Sequence, residues 1–436
     1  MQPNVVFVVL DTVRAARISA LGYDRETTPN FDSFVGDATL YTDAVAQAPW
    51  SVPSHASLFT GAYPWEHGTT TVEPVFDTPD PLPVRLSRVG YETYAVSPNE
   101  YIRPVTGFGR GFDEFVTPSR FTLPGTVATV ARPLVHRVTH SRIRRPVEWL
   151  FNRGRRHERK SVPEPGSVWD DQIGIVEDIL SRADAPYFLF VNLLDCHLPR
   201  SPAPEHEREF VDRELRDVPV VPNERAHLVG DRTLPEEEWR AMEQLYDADL
   251  RTLDDRLGEL LASLERHDDG ETLVVLVSDH GEHLGEFDLL GHQYSVFDPV
   301  MSVPMAIRYP DGGPNRVDKQ VETRRVYHTV LDEAGVERFP ERSLASGTGD
   351  PVARGAFVSP MVDVERLLWE REFAYDADLV GEPLSFRRRD RHKLVEFDGQ
   401  KWLFDCPERE VDGLVRRAAA AAQFVEQDER VVESES

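Results

Sequence analysis

The sequence has 436 residues, enough to bury a large hydrophobic core, and its length predicts two or three domains. Its formal net charge of −27 and its pI near 4.9 argue against nucleic acid as the main partner, because an acidic surface repels a phosphate backbone. The possible partners are therefore small molecules, glycans, lipids or other proteins.

Cysteine content and hydropathy indicate the compartment. The two cysteines, Cys196 and Cys406, are too few for a disulfide framework, so we expect a reduced, cytoplasmic protein. The apolar run at 4–10 is short and lacks the basic flank of a signal peptide, and no run approaches the roughly 18 apolar residues of a membrane helix. Only four of the 49 basic residues are lysine, and an acidic excess with so little lysine predicts a halophilic protein.

Continuous apolar runs rich in β-branched residues predict buried strands at 5–10, 91–96, 188–194 and 272–277. Between them, helices are predicted at 82–89 and at 245–266, where leucines recur at helical spacing. This alternation predicts an α/β fold with a mostly parallel central sheet flanked by helices.

Three of these strands end in acidic or histidine residues, which are Asp11, then Asp195 with His197, and Asp279 with His280. Functional side chains gather at the C-terminal ends of parallel strands, so these positions predict a site. The alternative for Asp11 is a structural role as the cap of a following helix.

The tail departs from the α/β pattern, and we expect a catalytic domain over 1–345 and a C-terminal subdomain over 346–436. Residues 387–396 and 401–404, joined through Asp398 and Gly399, predict a two-stranded hairpin spanning 387–405. Residues 411–425 predict an alanine-rich helix, and 426–436 an acidic, frayed end.

One segment is basic, although the sequence as a whole is acidic. Residues 132–160 hold ten Arg or Lys against two Glu, with three large apolar residues at 149–151. We interpret this segment as a basic insertion that is either solvated or docks onto anionic lipid headgroups or a polyanionic substrate. The second interpretation predicts a peripheral membrane contact through 132–160.

The stretch at 48–61, APWSVPSHASLFTG, predicts a short helix. Pro53 suits a first helical turn, and Gly61 suits the position just past a helix end. Ser51 then lies at a helix N-terminus, where free N–H groups and the helix dipole favour an anion. Its hydroxyl is either a simple cap or a nucleophile that faces a sulfate or phosphate ester.

Asp11, Asp279 and His280 together offer two carboxylates and one imidazole, a donor set suited to one divalent cation such as Ca²⁺, Mg²⁺ or Mn²⁺. Gly281 is expected to let the backbone turn sharply after these ligands. The Ser51 hydroxyl can complete the coordination and become a better nucleophile there.

His197 and His292 are further imidazoles that can hold the non-bridging oxygens of an ester or protonate its leaving group. A structural role is the alternative for each. Glu282 and His283 belong to the same loop as the cation ligands and are expected to support them.

Taken in order, these motifs resemble the sulfatase family, the arylsulfatase-like branch of the alkaline phosphatase superfamily. The resemblance rests on PNVVFVVLD at 3–11, the stretch at 48–61, GFGRGFD at 107–113, DCHLP at 195–199, SDHGE at 278–282, Gly291-His292 and the closing segment at 391–405. It implies an α/β catalytic core with a small C-terminal subdomain that contains a short antiparallel sheet. It also implies metal-assisted attack on a sulfate or phosphate ester.

The resemblance also implies a role for individual residues. Asp11, Asp279 and His280 resemble metal ligands, and Ser51 resembles the nucleophile, which the family commonly carries as a formylglycine. His197 and His292 resemble contacts of the ester oxygens or the leaving group. His55 is a catalytic candidate where the family has Arg, and Asn99 is a substrate-binding candidate in a segment where the family has Lys.

Three functions follow as hypotheses. The first is a sulfate ester hydrolase using Ser51 or its formylglycine form. The second is a phosphodiesterase or phosphotransferase using unmodified Ser51 on lipid or glycan headgroups. The third is a non-catalytic relative that binds anions or glycans, since Thr12 stands where a second Asp is usual and His55 where Arg is usual.

Overall fold

The computed structural model describes residues 2–70, 74–118, 170–218, 220, 234–267, 271–286, 289–292, 295–358, 384–397 and 400–406. Its strands in these ranges are β1 (Asn4–Leu10), β2 (Thr39–Val45), β3 (Glu92–Val96), β4 (Glu114–Val116), β5 (Tyr187–Leu193), β6 (Thr272–Val277), β7 (His283–Leu284), β8 (Leu290–Gly291), β9 (Ser302–Arg308), β10 (Arg316–Val317), β11 (Val321–Glu322), β12 (Ala353–Phe357), β13 (Leu384–Arg389), β14 (His392–Phe397) and β15 (Gln400–Asp405).

The α-helices in the same ranges are α1 (Pro29–Phe34), α2 (Ser51–Thr60), α3 (Pro64–His67), α4 (Leu82–Ser87), α5 (Asp170–Arg182), α6 (Pro204–Phe210), α7 (Glu236–His267), α8 (Asp298–Met301) and α9 (Arg325–Glu333). Within the described part of the chain, no helix has the length and apolar character needed to cross a bilayer. The basic segment at 132–160, the helix predicted at 411–425 and the acidic end at 426–436 all lie outside the described residues.

A mixed, mostly parallel sheet forms the centre of the fold, with the strand order β10-β2-β9-β6-β1-β5-β3-β4 and β11 also paired to β2. Strand β1 lies between β5 and β6 and is parallel to both. Strand β9 is antiparallel to β6 and to β2. The predicted α/β fold is therefore confirmed, and each of the four predicted strands lies within one residue of its observed bounds.

Successive side chains of β1 pack alternately into two hydrophobic cores, which lie on opposite faces of the sheet. The strand is therefore apolar throughout. Val5, Phe7 and Val9 pack on one face with apolar residues of α2, α4 and α9. Val6, Val8 and Leu10 pack on the other face with α1, α5 and α7. A strand buried on both faces loses the alternation of polar and apolar residues that a half-exposed strand shows.

The C-terminal strands form a four-stranded antiparallel sheet in the order β12-β13-β14-β15. The prediction of one strand over 387–396 is wrong, because the chain reverses at Asp390, whose φ is 51°. Aspartate tolerates this left-handed conformation, and no Gly or Pro marks the turn in the sequence. The pairing of 401–404 with the preceding strand is observed between β14 and β15, while the turn residues 398–399 lie outside the described part.

The small sheet packs against the rest of the fold through apolar and charged contacts. Phe404 meets Phe297 edge to face with ring centroids 5.3 Å apart, and the same hydrophobic core includes residues of both sheets. The ammonium of Lys393, a fully buried side chain, donates to the Val296 carbonyl at 3.0 Å and pairs with Asp298. Burial alone raises the pKa of Asp298, but the charges of Lys393 and Arg388 outweigh burial and lower it.

We predict that Lys393→Met destabilises the protein by about 3–5 kcal/mol, because it leaves the Asp298 carboxylate buried without its ammonium partner. The matched control is Lys401→Met in the same sheet, where Lys401 pairs with Glu396 at 3.5 Å on an exposed surface. The control is expected to change stability by no more than about 1 kcal/mol. Denaturant unfolding of both variants measures the difference, and equal losses would contradict this account.

Candidate active site

The C-terminal edge of the sheet brings three cation-binding side chains together. Asp11 follows β1, and its backbone N–H donates to the Leu193 carbonyl of β5 at 2.9 Å. Asp279 and His280 follow the neighbouring strand β6. One ligand atom from each of Asp11, Asp279 and His280 lies within 4.8 Å of the others, and all three residues are fully buried.

Each carboxylate has one oxygen engaged and one available. Asp11 Oδ2 accepts hydrogen bonds from Asn99 Nδ2 at 2.9 Å and from Asn192 Nδ2 at 3.3 Å, while Oδ1 has no hydrogen-bond partner among the described residues. Asp279 Oδ1 accepts from the backbone N–H groups of Thr12 and His280, while Oδ2 accepts no hydrogen bond from the described part of the chain. Buried carboxylate oxygens without donors are suited to a cation.

Electrostatics support the same interpretation. Burial, and after it the charge of Asp11, raise the pKa of Asp279 well above its usual range. Two carboxylates this close repel one another when both are ionised, and a divalent cation between them converts that repulsion into coordination. The residues therefore fit a divalent cation, although they do not select one ion.

The tautomer of His280 follows from its hydrogen bonds. Nδ1 lies 2.9 Å from the Gly281 carbonyl, so Nδ1 carries the proton and Nε2 keeps its lone pair. Burial and the nearby His292 lower the pKa of His280 well below its usual range, which favours the neutral ring. A neutral imidazole oriented through its other nitrogen is the usual form of a histidine ligand.

Gly281 was expected to allow a sharp backbone turn, but the structure gives a different reason for glycine at this position. Its φ lies outside the left-handed region, so conformational freedom is not what the position requires. Its N–H donates to the Val300 carbonyl at 2.7 Å, and a Cβ at this position would lie 2.2 Å from the Pro299 carbonyl oxygen. Close approach of two backbone segments therefore demands glycine after the cation ligands.

Ser51 is the first residue of α2, and the capping position belongs to Trp50, so the interpretation of Ser51 as a helix cap is wrong. Its side chain is buried, and Oγ lies 3.3 Å from both His280 Nε2 and Asn99 Nδ2. Gly61 ends the helix with a φ of 70°, as predicted. The hydroxyl therefore lies at the positive end of a helix dipole, beside the candidate cation ligands.

His55 lies beneath this site. Its Nδ1 donates to the Ser51 carbonyl at 2.8 Å and lies 3.4 Å from Asp279 Oδ2, and its ring contacts the rings of Phe108 and Phe190. Burial lowers the pKa of His55, so the ring is neutral. This geometry suits a residue that holds Ser51 and Asp279 in place.

His197 and His292 line up with His280. The ring centroids of His280 and His292 are 4.4 Å apart, and those of His292 and His197 are 5.3 Å apart. His292 Nδ1 lies 2.9 Å from Glu282 Oε1, and His197 Nδ1 donates to the Leu198 carbonyl at 2.8 Å. Glu282, which was expected to support the cation ligands, therefore bonds His292 instead. His283 Nε2 lies 2.6 Å from Ser295 Oγ.

Sequence reasoning missed several residues of the site. Asn192 was visible as the one amide in the apolar run of β5, and it contacts Asp11. Thr12 adopts a φ of 62°, which no local signal indicates for a β-branched residue, and this conformation turns its N–H toward Asp279. Asp195 is paired with Arg256 at 2.7 Å and contributes no ligand to the candidate cation group.

Comparisons with known proteins agree with this architecture. The sulfatase family model matches residues 3–336. A sulfatase of Formosa agariphila is 22% identical over 396 residues, which cover 79% of this chain and 72% of that protein. An endo-4-O-sulfatase of Bacteroides thetaiotaomicron is 23% identical over 358 residues, which cover 72% of this chain and 66% of that protein.

A solved structure of a phosphonate monoester hydrolase of Agrobacterium radiobacter has a TM-score of 0.71 and 21% identity, and the match covers 99% of this chain and 95% of that one. At this identity, the similarity shows the shared fold.

We predict that the protein binds one divalent cation per chain and that Asp279→Asn weakens binding by more than about 10²-fold, because it removes a carboxylate ligand. The control is Asp195→Asn, which lies at the same edge of the sheet but pairs with Arg256. Metal analysis after equilibrium dialysis against Ca²⁺, Mg²⁺ or Mn²⁺ measures both. Equal metal content in the two variants would contradict the assignment.

Proposed function

The chain belongs to the sulfatase family of hydrolases, and on that premise we propose that it hydrolyses sulfate esters with the help of one divalent cation. Ser51, as the serine itself or as its formylglycine form, is proposed to supply the attacking oxygen. The observation that carries this proposal is the position of Ser51 Oγ, 3.3 Å from His280 Nε2 and from Asn99 Nδ2 at the N-terminus of α2.

Asp11, Asp279 and His280 would hold the cation, which when bound supplies Lewis-acid stabilisation of the charge on the ester oxygens. Asn99 joins two parts of the site, because its amide donates to Asp11 Oδ2 and lies beside Ser51 Oγ. Asn99, proposed from the sequence as a substrate contact, is therefore proposed first to orient the nucleophile. His55 orients the same helix end through the Ser51 carbonyl.

The reaction requires one bond to form and one to break at sulfur. The hydroxyl of residue 51 loses its proton to water as its oxygen forms the new S–O bond, and the ester oxygen leaves with the bonding electrons and takes a proton. His292 or His197 is proposed to donate that proton from Nε2 of its doubly protonated ring, since the Nδ1 proton of each ring is already bonded to an oxygen acceptor. Hydrolysis of the covalent sulfate then restores residue 51.

A second candidate is hydrolysis of a phosphodiester or phosphonate monoester by unmodified Ser51. The observation that favours it is the neutral character of the positions where the family resemblance expects cations, since Asn99 accepts no proton and His55 has a lowered pKa. A phosphonate monoester hydrolase is also among the similar structures. These esters carry a single negative charge, as sulfate monoesters do, so one cation serves either class.

The substrate is proposed to be a small-molecule, glycan or lipid-headgroup ester. The endo-4-O-sulfatase relative is named for sulfate removal within a chain, which makes glycan sulfates the first class to screen. The basic segment at 132–160 is a proposed contact for anionic lipid headgroups, and a cytoplasmic location is proposed with it. Ca²⁺ is proposed as the first ion to try.

We predict that Ser51→Ala lowers kcat/KM by roughly 10³-fold or more, because it removes the attacking oxygen. The matched control is Ser57→Ala in the same helix, where the buried Ser57 hydroxyl contacts His67 at 3.2 Å. Wild type and both variants are assayed with 4-nitrophenyl sulfate, a bis-ester of phosphate and a phenylphosphonate monoester. Hydrolysis of none of them by metal-loaded wild type would favour the non-catalytic, anion-binding function.

The chemical state of residue 51 separates the two catalytic candidates. Peptide mass analysis of the protein from its native host is expected to show a loss of about 2 Da at Ser51, the two hydrogens removed when the side chain becomes an aldehyde. Such a loss favours sulfate esters. An unmodified Ser51 favours direct attack on a phosphodiester or phosphonate.

We also propose that the protein is halophilic, since its net charge of −27 is accompanied by only four lysines. We expect its thermal unfolding temperature to rise by several degrees between dilute buffer and molar KCl, because salt screens the repulsion among acidic groups. Equal unfolding temperatures in both solutions would contradict halophily and leave the catalytic proposal unaffected.

A further inference from the structure

Arg200 is a buried cation that no catalytic step above uses. Its side chain is 2% exposed, and its Nη2 lies 2.8 Å from Glu282 Oε2. Its Nη1 donates to the Cys196 carbonyl and lies 3.6 Å from Asp249 Oδ2 of α7. The guanidinium therefore contacts two different segments at the C-terminal edge of the sheet.

Each of these two segments carries a histidine of the candidate site. Cys196 immediately precedes His197, so the bond to its carbonyl holds the loop that follows β5. Glu282 uses its other oxygen, Oε1, to accept from His292 Nδ1 at 2.9 Å. One guanidinium thus connects, through two short links, both imidazoles proposed to face the leaving group.

Tyr246 of α7 links Arg200 to the segment that follows β1. The Arg200 guanidinium carbon lies 4.8 Å from the centre of the Tyr246 ring. The Tyr246 hydroxyl donates to the Thr12 carbonyl at 2.8 Å and accepts from the Arg14 N–H at 3.0 Å. The loop that carries Asp11 is therefore held against the same group of side chains.

The energetics indicate a role beyond stability. Burying a guanidinium and carboxylates is expensive, and well-packed apolar side chains of similar volume commonly serve a core as well or better. An arrangement of this kind is useful where it fixes directions, because each hydrogen bond constrains both distance and angle.

We propose that Arg200 is a positioning residue for ester cleavage, which fixes the direction of the His292 ring through Glu282 and of the His197 ring through the Cys196 carbonyl. This inference rests on the proposed function, because the two imidazoles matter to the rate only if they protonate the departing oxygen. Arg200 is thus proposed to act through Glu282 and the Cys196 carbonyl and not on the ester itself.

The test compares Arg200→Met, Arg200→Lys and Glu282→Gln with wild type. The matched control is Arg25→Met, since Arg25 also pairs with a buried Asp of α7 (Asp247, 2.7 Å), donates to a carbonyl and lies over an aromatic ring. In the described part of the chain, Arg25 bonds to residues of α6 and α7 and to no segment that carries a site histidine. Thermal unfolding of all variants identifies any that fail to fold.

The first measurement is independent of activity. Proton NMR of the slowly exchanging imidazole N–H groups is expected to show a downfield signal from His292 Nδ1–H, assigned by its loss in His292→Asn. The signal should disappear or move strongly in Arg200→Met and Glu282→Gln, recover in part in Arg200→Lys, and stay unchanged in Arg25→Met. An unchanged signal in folded Arg200→Met would overturn the proposal.

The second measurement is the dependence on the leaving group. With the ester class that wild type hydrolyses, Arg200→Met should lose roughly 10–100-fold more kcat/KM on an alkyl ester than on a 4-nitrophenyl ester, because nitrophenolate leaves without a proton. Equal losses on both esters would also overturn the proposal. If wild type hydrolyses no ester, the proposed function fails, and the NMR result alone decides whether Arg200 positions the imidazoles.

Discussion

The close approach of two buried carboxylates is the constraint on which the rest of this site depends. Asp11 and Asp279 follow adjacent parallel strands, so the register of β1 against β6 determines their separation. Each uses one oxygen to accept hydrogen bonds from the protein and leaves the other without a donor. A sheet buried on both faces makes this arrangement rigid, because shifting either strand would disturb two hydrophobic cores.

The four histidines around the carboxylates share one hydrogen-bonding pattern. His280, His292, His197 and His55 each commit Nδ1 to an oxygen acceptor of the protein. That hydrogen bond determines which nitrogen carries the proton and the direction of the ring. The acceptors are three backbone carbonyls and one carboxylate, Glu282, so His292 is the one of these four rings that another side chain orients. The distinction separates His292 chemically from the other three.

The sequence predicted the strands near the site to within one residue because each is buried on both faces and ends in a polar side chain. It also predicted which side chains follow β1, β5 and β6. It did not predict the left-handed Thr12 or the turn at Asp390, since both are conformations that neighbouring structure imposes on residues with other local preferences. The sequence also did not predict the contacts of Arg200, Asn192 and Tyr246. Their partners lie far away in the sequence, and only the folded chain brings them together.

The distribution of charge in the site bears on which ester it receives. The buried guanidinium of Arg200 is already balanced by Glu282 and lies beside Asp249, so it has little positive charge to offer an anion. Under the proposed function, the attraction for an ester must then come from the proposed cation and from the N-terminus of α2. These sources recognise the charge and the tetrahedral shape shared by sulfate monoesters and phosphonate monoesters, and they barely distinguish sulfur from phosphorus. Discrimination must therefore depend on the chemistry of residue 51 and on contacts with the alcohol portion of the substrate.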